Sequence, residues 1–125
     1  MIILWKRTYK LAYYPKPNYK MMKEVSVQEL REKMNANDDF QLIDVRETFE
    51  YEIGNLNGLN IPLAHVMLEA GSISKNKQVI IHCRSGARSA AVIMQLEREL
   101  DLKNLYNLKG GILAWKAEID ESINV

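Results

Sequence analysis

The chain has 125 residues, 47% hydrophobic and 26% charged, which fits one globular domain able to bury a core. Its single cysteine excludes an internal disulfide, a CxxC redox pair and a cysteine-built zinc cluster. The net charge of +1 divides into +6 over residues 1–23 and −5 over the rest, and an acidic body offers no footprint for nucleic acid.

Residues 1–22 read as a flexible basic extension and residues 23–125 as the domain. Met1-Ile2-Ile3-Leu4-Trp5 is too short for a signal-peptide apolar region, and its charges follow the apolar stretch. Two prolines in Tyr13-Tyr14-Pro15-Lys16-Pro17-Asn18 oppose regular structure. No apolar run reaches membrane-spanning length, so a membrane is not an expected partner and the cytoplasm is the expected location.

Beyond the extension, Ser26-Val27-Gln28-Glu29 is a capping box and predicts a helix over Val27–Asn35. Phe40 to Val45 reads as a strand, Glu47 to Ile53 as a short helix closed by Gly54-Asn55, and Asn60-Ile61-Pro62 as a short strand or extended piece. Leu63 to Glu69 is expected to be a helix stopped by Gly71. Next comes the buried strand Val79–His82, a polar loop, and a helix over about Arg88–Leu100. The first two turns of that helix are apolar nearly all round, through Ala90, Ala91, Val92, Ile93, Met94 and Leu96, which predicts burial. Asn104–Leu108 gives a last strand, Gly110-Gly111 a turn, and Ile112–Ile119 a final helix. Strands alternating with helices argue for an α/β fold, a parallel sheet flanked by helices on both faces.

Cys83 stands at the carboxyl end of the strand and faces the start of the next helix. Open α/β sheets bind ligands at that edge, and a helix N-terminus favours anions, thiolates included. Lowering a thiol pKa by two units takes roughly 2.7 kcal/mol. The helix end supplies on the order of 1 kcal/mol, and Arg84, Arg88 and the loop N–H groups are candidates for the rest. Gly86 lets those N–H groups converge into an anion nest. A lone cysteine is more often a small core residue, but a packing cysteine needs neither two arginines nor a glycine beside it.

Cys83-Arg84-Ser85-Gly86-Ala87-Arg88-Ser89 resembles the active-site loop of the rhodanese family of sulfurtransferases. Leu42-Ile43-Asp44-Val45-Arg46-Glu47, continuing through Glu50-Tyr51, Gly54, Leu56 and Gly58 to Asn60-Ile61-Pro62, is similar to the family's amino-terminal signature. The stretch from Asn104 through Gly110-Gly111 to Trp115 is similar to its carboxyl-terminal one. Asn55 and Leu59 depart from the family pattern, both outside the cysteine loop. The resemblance implies five parallel strands and a Cys83 persulfide that passes its sulfur to a thiol or cyanide acceptor. The terminal sulfur would lie among the N–H groups of residues 84–88, with Arg84 and Arg88 drawing in a small anionic donor such as thiosulfate. No cofactor or metal is called for, and a thiol-bearing protein is a further expected partner.

Asp44 and Arg46 are expected to pair and brace the loop ends, with Ser89 in support. Strand alternation turns the His82 side chain away from that of Cys83. His65 reads as a surface or core residue, Trp115 as core, and Lys109 as solvated. The closest rival is a phosphatase or arsenate reductase, but those loops run Cys-x5-Arg whereas Cys83 to Arg88 is Cys-x4-Arg. A non-catalytic module for sulfur carriage or partner binding is a second rival. A thiol redox sensor is a third and lacks a resolving cysteine.

Overall fold

The computed structural model describes residues 22–125. The basic extension assigned to residues 1–22 lies outside that span except for Met22, which packs against the core. Five strands form one parallel sheet: β1 (Glu24–Val25), β2 (Phe40–Asp44), β3 (Leu59–Asn60), β4 (Gln78–His82) and β5 (Leu105–Leu108). Their spatial order is β1-β5-β4-β2-β3. Four α-helices accompany them, three between strands and the fourth after β5: α1 (Val27–Asn35), α2 (Thr48–Ile53), α3 (Ala87–Leu100) and α4 (Gly111–Glu118).

β4 is the central strand, paired with β2 from Phe40↔Gln78 to Asp44↔His82 and with β5 from Val79↔Leu105 to Ile81↔Asn107. Val79, Ile80 and Ile81 are all fully buried, as a parallel strand covered on both faces requires. Helix α3 covers one face, packing Val92, Ile93 and Leu96 against Ile43, Val79, Ile81 and Leu105. Helices α1 and α4 cover the other, packing Val27, Leu30, Ile112 and Trp115 against Ile80 and Leu108. Each such buried aliphatic side chain contributes about 1.5–3 kcal/mol relative to exposure.

The structure corrects two local expectations. Helix α3 is buried on one face only, at Ser89, Val92, Ile93 and Leu96, while Ala91 is exposed. The helix is an outer layer, so its far side meets solvent, and a methyl group loses little by facing water. The helix expected over Leu63–Glu69 is instead a 3-10 turn at Leu63–His65, followed by another at Ala70–Ser72. Val66 is the one fully buried residue there, Met67 is only partly covered and Leu68 is 87% exposed, so the segment has no buried apolar stripe to hold a helix down. The short extended piece at Asn60-Ile61-Pro62 is present: it begins one residue earlier, at Leu59, Ile61 N–H still donates to Asp44 O at 2.9 Å, and Pro62, with no N–H, ends the pairing.

Candidate active site

Cys83 immediately follows β4, and strand alternation places it on the α3 face with Val79 and Ile81. The connection from β4 to α3 is only four residues, Cys83 to Gly86, and it closes because Gly86 adopts φ +105° at the helix N-cap. The Cys83 sulfur accepts hydrogen bonds from Gly86 N–H at 3.1 Å and Ser89 N–H at 3.4 Å. The Ser89 hydroxyl lies 3.4 Å away. The N–H groups of Arg84, Ala87 and Arg88 bond to no acceptor among the described residues; the latter two are first-turn donors that a helix leaves unpaired.

Two opposing influences act on this thiol. Burial pushes its pKa up, while donation by the Ser89 hydroxyl and by the N–H groups of Ser89, Gly86 and Ser85 pulls it down. The donors prevail, and the thiol is held below its ordinary value. The Ser89 hydroxyl has one proton to give, and its shortest contact is Asn107 Oδ1 at 2.6 Å. Asn107 in turn donates from Nδ2 to Gly86 O at 3.2 Å, so the next strand fixes the loop from below.

The start of α4 holds the loop from the side. Ile112 N–H donates to Cys83 O at 3.0 Å and Leu113 N–H to Arg84 O at 3.1 Å. Gly111 has φ +62°, and a Cβ there would run into the backbone carbonyls of Arg84 and Cys83. The glycine pair, expected only to turn the chain, is therefore a backbone clamp on the cysteine loop. Its legible signal was its place, since β5 and β4 are parallel and end at the same edge of the sheet.

Behind the loop lies a buried ionic cluster. Arg46 and Asp44 are both buried and form a fork, with Nη2 to Oδ2 at 2.8 Å and Nε to Oδ1 at 3.0 Å. Arg46 also donates to the carbonyls of Gly54 at 2.7 Å and Glu50 at 3.4 Å, which ties down α2, a helix with no buried side chain of its own. His82 is fully buried on the opposite face from Cys83, with Nε2 3.6 Å from Asp44 Oδ2 and no hydrogen bond to it. Burial drives its pKa down, partly offset by Asp44, so the ring is neutral and does not serve the sulfur.

Arg88 is placed differently from expectation. Its guanidinium forms a two-point fork with Glu50, Nη1 to Oε1 at 2.6 Å and Nη2 to Oε2 at 2.9 Å. The pairing lowers the Glu50 pKa to about 2, so its carboxylate is ionised throughout the neutral range. Arg84 and Ser85 are exposed at the mouth of the loop, and Arg84 makes no ion pair among the described residues. Ala87 is exposed on the first turn of α3. The structure thus gathers Cys83, Gly86 and Ser89 around the sulfur, keeps Arg84 and Arg88 at the rim, and sets Asp44 and Arg46 behind. Asn107 and Glu50 were not foreseen: Asn107 is 18 residues from Ser89 and Glu50 is 38 from Arg88, and only the fold joins them. Among the described residues no group of three His, Cys, Asp or Glu side chains could hold a metal ion, and no helix is long and apolar enough to cross a membrane.

The rhodanese-like domain model matches residues 26–118. The chain belongs to the rhodanese-like domain family. It is 35% identical over 98 residues to "Putative sulfurtransferase YtwF" of Bacillus subtilis (strain 168), an alignment covering 78% of this chain and 93% of that protein. It is 31% identical over 96 residues to a protein named sulfurtransferase from Allochromatium vinosum, covering 76% and 89% respectively. Among solved structures, the rhodanese-like domain protein from Staphylococcus aureus superposes with a TM-score of 0.71 at 31% identity, covering 83% of this chain and 98% of that one.

The two departures from the rhodanese pattern have local explanations. Asn55 donates to Tyr51 O at 2.9 Å and accepts from Asn57 N–H at 2.9 Å, so it shapes the turn after α2. Leu59 is 44% exposed on the edge strand, a position open enough to solvent to take a large side chain. Neither residue touches the cysteine loop of this rhodanese-like domain.

Proposed function

We propose that the protein is a sulfurtransferase that carries a sulfane sulfur as a persulfide on Cys83. The observation that carries this reading is the donor set around the sulfur. Gly86 and Ser89 N–H groups already reach Sγ, and the N–H groups of Arg84, Ala87 and Arg88 have no acceptor among the described residues. A persulfide adds one anionic sulfur to that ring, and preorganised N–H donors stabilise such a charge without reorganising.

Cys83 acts as the nucleophile. Its thiolate attacks the outer sulfur of a small anionic donor, and the S–S bond breaks with its electron pair on the leaving sulfite or thiolate. A thiol or cyanide then attacks the terminal sulfur and returns the Cys83 thiolate. The loop residues Arg84, Ser85, Gly86, Ala87 and Arg88 bind donor and persulfide, Ser89 holds the loop in shape, and Asp44 and Arg46 support the site by anchoring α2 beside it. A ring with four residues between cysteine and arginine suits one sulfur better than a phosphoryl group with three oxygens, which sets the phosphatase reading behind this one. Loading with a sulfane donor followed by cyanide tests the proposal: thiocyanate is expected from the wild type and none from Cys83→Ser, and release that survives this substitution would refute it.

A further inference from the structure

The loop carries two arginines, and the structure treats them unequally. Arg84 is exposed and unpaired among the described residues. Arg88 gives both terminal nitrogens to the Glu50 carboxylate. A two-point guanidinium–carboxylate fork is the strong, geometrically specific form of ion pair. Glu50 is itself fixed at both ends. Its backbone carbonyl accepts from the buried Arg46, and its Oε1 accepts from Glu47 N–H, capping α2. It is ionised at neutral pH, so the Arg88–Glu50 unit is neutral overall. The charge that an incoming anion meets at the rim is therefore near +1 rather than +2.

We propose that Glu50 is the charge-setting residue of the cysteine loop: by holding Arg88 in a fork it leaves Arg84 as the loop's unpaired cation, and so favours a singly charged sulfane donor, an organic persulfide, over the thiosulfate dianion. The inference rests on Cys83 sulfur transfer and names its donor class. The Cys83 sulfur attacks the outer sulfur of R–S–S⁻, and the S–S bond breaks with its electron pair on R–S. The thiol proton goes to that group, releasing R–SH and leaving Cys83–S–S⁻. Atoms, charge and electrons balance with no further reactant. Glu50 acts through Arg88 and is a positioning residue.

The test reads the field at the sulfur without using sulfur transfer. Iodoacetate and iodoacetamide alkylate the same thiolate, so their rate ratio cancels thiol pKa and nucleophilicity and reports the charge met by an anion. Glu50→Gln keeps an acceptor for the α2 cap while removing the charge. It is expected to raise the iodoacetate-to-iodoacetamide ratio about fivefold at low ionic strength, an effect that salt abolishes. Arg88→Gln is expected to lower the ratio by a similar factor, and the double variant to return within about twofold of the wild type. In the same proteins, the loading rate with thiosulfate relative to a small alkyl persulfide should rise about fivefold in Glu50→Gln. Unchanged ratios in Glu50→Gln, or equal loss with both donors, would overturn the inference. Alkylation ratios that shift as expected while neither donor loads Cys83 would support the charge assignment, and would overturn both the sulfur-transfer reading and the donor preference.

Discussion

Cys83 combines two properties that usually conflict, full burial and a thiol pKa held below its ordinary value. Burial alone would favour the neutral thiol, and the difference comes from donors that the loop aims at the sulfur. Of these, Gly86 N–H is the shortest, at 3.1 Å, and no substitution short of proline can delete it. The Ser89 hydroxyl has three acceptors for its single proton, Asn107 Oδ1 at 2.6 Å, Gly86 O at 3.2 Å and the sulfur at 3.4 Å. Ser89→Ala therefore raises the thiol pKa, while the Gly86 and Ser89 N–H groups keep part of the depression. The pH dependence of iodoacetamide alkylation checks this, and an unmoved profile would give the hydroxyl proton wholly to Asn107 and Gly86. At this scale the sequence made Cys83, Arg84 and Gly86 legible, because a strand end, a cation and a glycine lie within four residues. Asn107 and Glu50 were not legible, since parallel pairing and the placement of α2 bring them in from distant positions.

Three pieces of backbone build the site: the end of β4, the first turn of α3 and the first turn of α4. The first two are contiguous in sequence and could be placed from it. The third arrives from β5 and docks through Ile112 and Leu113 N–H on the loop carbonyls. Gly111 is the residue that permits that approach, by its positive φ and its missing Cβ. Gly111→Ala is expected to cost about 2 kcal/mol or more, the sum of a left-handed alanine and a displaced loop backbone. It should also slow Cys83 alkylation. A urea midpoint and alkylation rate equal to those of the wild type would show that the clamp does not matter. Elements with strong internal signals matched their expectation: the capping box opened α1, and the apolar run Val79-Ile80-Ile81 became the central strand. Two others had no such signal. β1 is two residues held by pairing with β5, and the Leu63–Glu69 stretch lost its helix because tertiary packing gave it one buried side chain.

Across the whole molecule, the two core layers meet at a sheet whose carboxyl edge carries ionisable groups that water does not reach. His82 is the clearest case, neutral and fully buried beside Asp44. Its folded pKa lies below its unfolded value near 6.5, so its contribution to stability is complete above that pH and is lost as pH falls towards the folded pKa. Between pH 7 and 5 the protein should lose stability with a slope of up to about 1.4 kcal/mol per pH unit, the limit for one proton. His82→Leu removes this dependence, so its urea midpoint should be flatter over that window, and an unchanged slope would assign the proton elsewhere. Glu50 acts in a lower window. Its pKa of about 2 makes the Arg88 fork stabilising above pH 4.5, and that stabilisation is lost as the pH drops towards 2.

All of these features converge on one atom, and the sulfur of Cys83 is where the account is most directly tested. Intact-mass spectrometry after treatment with thiosulfate or an alkyl persulfide should show a gain of about 32 Da, one sulfur atom, on the wild-type chain, and cyanide should remove it. Cys83→Ser should gain nothing under either donor. A wild type that takes up no sulfur from either donor, or a Cys83→Ser chain that does, would contradict the persulfide role given to this residue.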